Sequence, residues 1–157
     1  MNEICNRSLS DGGFPMLPGH NFRPDATAWA VLALKSHGSS LDIAEAGCRR
    51  LARIQQQDGR VTIFHGYDSG FWPTALSLLA WKSMGGFEHE IDLGVKFILI
   101  TSGDYGDRKA DSPSKHDTSI RGWSWTENTY SWIEPTSIAI LALKACAANF
   151  AGWVHAG

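Results

Sequence analysis

The stretch TAWAVLAL at Thr27–Leu34 returns as TALSLLAW at Thr74–Trp81 and as TSIAILAL at Thr136–Leu143. A chain that writes one small apolar sentence three times is committed to a repeat architecture before anything else is known of it. The first two copies lie 47 residues apart. The same step carries Asp11-Gly12 onto Asp58-Gly59, Lys35-Ser36 onto Lys82-Ser83, Gly38 onto Gly85, Gly47 onto Gly94 and Gly59 onto Gly106. The second and third copies are 62 residues apart, one period plus 15. The polar stretch DRKADSPSKHDTSIR, Asp107–Arg121, holds the surplus and reads as an inserted loop. The expected organisation is one domain over 1–157, with repeats at about 11–57, 58–104 and 105–157.

Each unit has two halves. The TAxxxLAL half is apolar all round and rich in Ala and Leu, which favours a helix covered on both sides. Pro73 and Pro135 stand just before the threonine, where a first helical turn tolerates proline. The other half is LDIAEAGCRRLARIQ, Leu41–Gln55. Here Leu41, Ala44, Cys48, Leu51 and Gln55 make one stripe at helical spacing, and the charged residues lie mainly off it. Buried inner helices sheathed by one-sided outer helices define the expected fold class, an all-α array of inner and outer helix pairs.

Composition narrows the function classes. A formal charge of −2 provides no basic field for nucleic acid. The apolar runs are far shorter than the roughly 20 residues of a membrane span, and the opening MNEICNRSLSDGG has no apolar signal region. Cys5, Cys48 and Cys146 are few, odd in number and far apart, as expected of reduced thiols in a cytoplasmic protein.

The pattern TAxxxLAL, a turn, a helix ending in Gln and then Asp-Gly, as in Ile54-Gln55-Gln56-Gln57-Asp58-Gly59, resembles the repeat of squalene–hopene cyclases and protein prenyltransferase β subunits. The segment HDTSIRGWSWTENTYSWIEPTSIAILAL, His116–Leu143, is similar to an uncharacterised bacterial branch of that superfamily. The resemblance runs from Asp11 to about Ala145 and implies the α/α-toroid fold. A closed ring in that family needs more helix pairs than this sequence carries, so the expectation is an incomplete ring. Its terminal helices would have apolar flanks and would favour self-association or a partner that completes the ring.

The resemblance also implies where chemistry would sit. In the cyclases an aspartate-rich stretch just before the Thr-Ala of one inner helix supplies the proton that starts cyclisation. Here that stretch reads Arg23-Pro24-Asp25-Ala26, so Asp25 is the implied general acid and two neighbouring acids of the pattern are missing. The plainer reading makes Asp25 the N-cap of an inner helix. Two residues before each threonine stand Asp25, Trp72 and Glu134. Either Asp25 and Glu134 form an acid pair at a cavity mouth, or Glu134 is a first-turn acid favoured by the helix dipole. Eleven aromatic residues fall in the loops between pairs. Trp72, Trp125, Trp132 and Tyr130 are the candidates for lining an isoprenoid cavity, and Trp123 and Phe64 for stapling one repeat to the next. No cofactor is expected, and the Asp-x-Cys zinc motif of the prenyltransferases is missing, so no metal is expected either. His116-Asp117 is the one compact polar pair, catalytic or merely capping its loop. Two functions stay open: an isoprenoid-processing domain of terpene cyclase or, less readily, prenyltransferase type, meeting its substrate in the cytoplasm or at a membrane surface; or a non-catalytic α/α repeat module that binds a partner or lipid.

Overall fold

A computed structural model describes residues 2–107 and 117–147. Among them are six α-helices and no β-strand beyond two isolated bridges. They are α1 (Asn2–Cys5), α2 (Pro24–His37), α3 (Leu41–Ile54), α4 (Pro73–Met84), α5 (Glu88–Ile100) and α6 (Ile133–Cys146). His116 and the third unit's residues 148–157 lie outside the described residues.

Local chemistry sets the boundaries. Pro24 and Pro73 begin α2 and α4, where the missing N–H costs nothing. Gly38 ends α2 in the left-handed region at φ 71°, and its N–H reaches the carbonyls of Leu34 and Lys35. In α3 the buried face is Ala44, Gly47, Cys48 and Leu51, while Leu41 at the head of the expected stripe is exposed.

Packing arises from the two kinds of face. The apolar helices α2, α4 and α6 form an inner row with α4 in the middle, touching both of the others. On the outside α3 packs on α2 and α4, and α5 packs on α4 and α6, so each outer helix bridges two inner ones. α4 therefore has cover on every side that its sequence demands: Leu76, Leu78 and Trp81 are fully buried. Each such side chain stabilises the fold by about 1.5–3 kcal/mol. The Trp81 indole also donates to the Cys48 carbonyl at 3.1 Å, tying the middle inner helix to α3.

The internal repeat is written in the hydrogen bonds. At the start of each inner helix the threonine hydroxyl closes a loop onto the residue 13 positions before it. The N–H of Phe14 donates to Thr27 Oγ1 at 2.8 Å, that of Val61 to Thr74 at 2.9 Å, and that of Trp123 to Thr136 at 2.9 Å. Each hydroxyl gives its own hydrogen back to a main-chain carbonyl: Arg23 at 2.8 Å, Phe71 at 2.7 Å and Trp123 at 3.2 Å, respectively. A second recurring bond locates the insertion. Leu9 N–H reaches the Gly13 carbonyl, and Gln56 N–H the Arg60 carbonyl. In the third unit the same rung joins Gly103 N–H to the Gly122 carbonyl at 2.8 Å. All 15 extra residues are spliced between those two partners. Gly106 N–H bonding to the Thr118 carbonyl at 2.9 Å makes a second tie across the neck.

The Asp-Gly turns stitch outer helices together. Gly12 at φ 89° lies so close to α3 that a Cβ would meet the Ala46 carbonyl oxygen at 2.6 Å; at Gly59, φ 94°, it would meet that of Leu93 at 2.1 Å. The Gln55 amide donates both to the Gly59 carbonyl at 3.0 Å and to that of Glu90 in α5 at 2.9 Å. This explains the Gln-before-Asp-Gly spelling. The sequence step from Gly59 to Gly106 does not hold in space: Gly106 has open room around it and takes no such turn, because the register has already entered the inserted segment.

Candidate functional site

The inner helices begin at one end of the array, and the loops entering them gather the aromatic and charged residues. Pro24 occupies the first turn of α2, so the helix starts two residues earlier than an Asp25 cap requires. Arg23, with extended backbone, is the N-cap, and Asp25 lies within the first turn. Asp25 is buried, with its carboxylate side chain 8% exposed. Both its oxygens accept from the same guanidinium: Arg23 Nε reaches Oδ1 at 2.9 Å and Nη2 reaches Oδ2 at 2.8 Å. The guanidinium then stacks over the Phe64 ring at 5.2 Å. The N-cap expectation is thus corrected. Asp25 is one half of a forked ion pair that joins α2 to the loop of the second unit.

Glu134, at the matching position of α6, is exposed. α2 and α6 lie on opposite flanks of α4. With packed helices about 8–10 Å apart, the two acids sit on helices about 16–20 Å from one another. At that separation they share no proton. Trp72 falls between them in the row, as its position in the repeat requires, and caps α4.

Of the four candidate cavity aromatics, two meet. Trp72 and Trp125 form an edge-to-face pair with ring centroids 5.0 Å apart and planes at 84°, joining the loop before α4 to the loop before α6. Trp132, the N-cap of α6, is 52% exposed. Tyr130, half exposed, lines a groove of about 610 Å³ with residues 102–107 and Thr118 beside the neck of the insertion. Trp123 acts as a staple: its indole donates to the Ile98 carbonyl of α5 at 2.9 Å. Phe64 is held under Arg23, and its other face remains open.

A cavity of about 810 Å³ opens between the last turn of α3 and the loops at 21–24 and 62–68. Phe22, Ile54, Ile63 and Phe64 provide its apolar wall, with Arg50 and His65 at the polar side. Sequence reasoning misses this space, because its walls come from two loops and an outer helix with no shared motif. The signal is there in part: Arg50 lies off the apolar stripe of α3, and its guanidinium stacks on Phe22 at 4.9 Å and pairs with Asp11 at 2.5 Å.

Among the described residues no three His, Cys, Asp or Glu side chains come together to hold a metal ion, and no helix is long and apolar enough to cross a membrane. Asp117 accepts from the N–H and hydroxyl of Ser119 at 3.1 and 2.6 Å, an Asx-type turn. The three cysteines are free thiols, and burial pushes the Cys48 thiol up to about 12. Burial raises Cys146 as well. Neither is a nucleophile at neutral pH, since the thiolate is the reactive form. Comparison with protein-family models, with curated proteins and with solved structures finds no match to this chain.

Proposed function

We propose that this chain is an α/α repeat module, an arc of the toroid type, that binds an apolar isoprenoid-like chain at its aromatic loop end without performing cyclisation. The observation that carries this reading is the fork between Arg23 and Asp25. A general acid for an alkene must present a hydrogen to its substrate. Asp25 instead accepts on both oxygens from a fixed cation, and Glu134 stands too far away to act with it. The aromatic equipment is of a different quality. Trp72 and Trp125 form an apolar edge-to-face corner, and Trp132 and Tyr130, both about half exposed, lie in the same loop as Trp125. Such surfaces suit a polyprenyl tail by area burial. The free thiols accord with residence in a reducing compartment such as the cytoplasm.

The test is a fluorescence titration of the protein with squalene, farnesol and farnesyl diphosphate, followed by extraction and product analysis. The expected result is saturable tryptophan quenching by at least one of them, weakened in Trp72→Ala and Trp125→Ala, with every ligand recovered unchanged. Cyclised or hydrated product that disappears in Asp25→Asn would restore the cyclase reading. Quenching by none of the three would remove the isoprenoid from the proposal.

A further inference from the structure

Superposing the three inner helices by their threonines sorts their positions into two faces. One position after the threonine stand Ala28, Ala75 and Ser137; the first two are buried and the third is exposed. Four after it, Val31 and Leu78 are fully buried whereas Ile140 is 52% exposed. On the other side the order reverses. Two after the threonine, Leu76 and Ile138 are buried whereas Trp29 is 53% exposed. Six after it, Ala80 and Ala142 are fully buried, and Ala33 is only half covered. The row has therefore two unequal ends. α6 exposes the face that α2 and α4 each bury in the angle between their own outer helix and the next inner one, where Val31 packs on Gly47 of α3 and Leu78 on Gly94 of α5. α2 exposes the face that α4 and α6 each bury toward the preceding unit.

We propose that these two faces bind each other between copies of this chain: α6 of one copy docks on α2 of the next, head to tail, repeating the contact that α4 makes with α2 and that α6 makes with α4. The sequence equips both sides for it. The residues one after the threonine are small in all three units (Ala28, Ala75, Ser137), which permits close approach of helix backbones. On the receiving side Trp29 and Ala33 line a groove of about 450 Å³, whose far wall is Ile4 of α1. By the 47-residue step Ile4 corresponds to Leu51, so α1 stands to α2 as the last turns of α3 stand to α4. An arriving α6 thus meets on α2 the same kind of surface that α4 presents to α2 and that α6 presents to α4. Such a contact is heterologous: it grows into a ring or a filament according to the rotation per step, and it never forms a two-fold dimer.

The geometry gives a test that separates this from every symmetric alternative. Trp29→Glu spoils the receiving face and Ser137→Arg the docking face; both positions are exposed, and circular dichroism checks that helicity is kept. In sedimentation velocity the full wild-type chain should associate with rising concentration, beyond a dimer. Each variant alone should be monomeric, its association weakened more than about tenfold. An equimolar mixture should recover one contact and stop at a 1:1 dimer, since the intact α6 face of Trp29→Glu meets the intact α2 face of Ser137→Arg. A monomeric wild type at all concentrations overturns the proposal. So does association that survives in either variant alone, or a mixture in which no dimer returns.

Discussion

Replacing Thr74 by valine removes one oxygen and changes almost nothing else in volume, which makes it the cleanest probe of what the repeated threonine is for. In the folded protein that oxygen is wholly buried, accepts the Val61 N–H at 2.9 Å and donates to the Phe71 carbonyl at 2.7 Å. Val61 is itself at 0% exposure, so its N–H would find no water in exchange. An orphaned buried donor costs about 1–3 kcal/mol, and the lost donation adds about 0.5–1.5 kcal/mol. Valine restores part of this by its better transfer from water, leaving a net loss of about 2–3 kcal/mol. Thr27→Val should lose a similar amount, because Phe14 and Thr27 are equally sealed. Thr136→Val should lose only about 1 kcal/mol, since Thr136 and Trp123 are partly open to solvent. Urea unfolding followed by far-ultraviolet circular dichroism measures all three. At about 2–4 °C per kcal/mol for a chain of this size, melting temperatures should fall by about 4–12 °C for the first two variants. If Thr74→Val stays within about 0.5 kcal/mol of wild type, or Thr136→Val is as costly as Thr74→Val, the clasp is not what holds the repeat.

Other perturbations test neighbouring parts of the structure. Gly59→Ala should cost more than about 2 kcal/mol through its positive φ and the Leu93 carbonyl in its path, while Gly106→Ala should fall within about 0.5 kcal/mol, both read by thermal melts. Ser77 has a buried hydroxyl with no partner and stands where the other inner helices have Ala30 and Ala139; Ser77→Ala should be neutral or stabilising by up to about 1 kcal/mol. At pH 8 a maleimide should label the half-buried Cys5 well before Cys48, with mass spectrometry of the digested protein reading the order. The same burial makes stability fall with alkali. The unfolded Cys48 thiol releases its proton near 9.0 and the folded one only near about 12, so its contribution is full above neither value: the folded state begins to lose stability as pH rises past 9.0, and the loss levels off near 12. The fall should be gentler in Cys48→Ala.

Much of the architecture was legible because it rests on short-range patterns. The three apolar runs give α2, α4 and α6, and the one-sided stripe ending at Gln55 gives α3, since helical periodicity is local information. Glycine spacing was a weaker guide. The step onto Gly106 fails because arithmetic on the sequence cannot see where an insertion begins, whereas the rung from Gly103 to Gly122 shows it at once. Asp25 was misjudged for a related reason. An acid near a helix start suggests a cap, yet Pro24 fixes the first turn and leaves the cap to Arg23, whose side chain then folds back on the carboxylate. The meeting of Trp72 with Trp125 and the cavity beside Phe22 and Phe64 join residues tens of positions apart. No rule of spacing anticipates these; they emerge only once the loops are laid side by side.

The rung between Gly103 and Gly122 has a practical use. Because the excursion leaves and returns across a main-chain hydrogen bond, its two ends already sit at the distance a tight turn would demand, whatever lies between them. Lengthening such a loop twofold costs only about 0.6 kcal/mol in closure entropy. That junction is therefore a natural port for grafted sequence, such as an epitope, a fluorophore peptide or a small folded guest, with the helical row behind it left undisturbed.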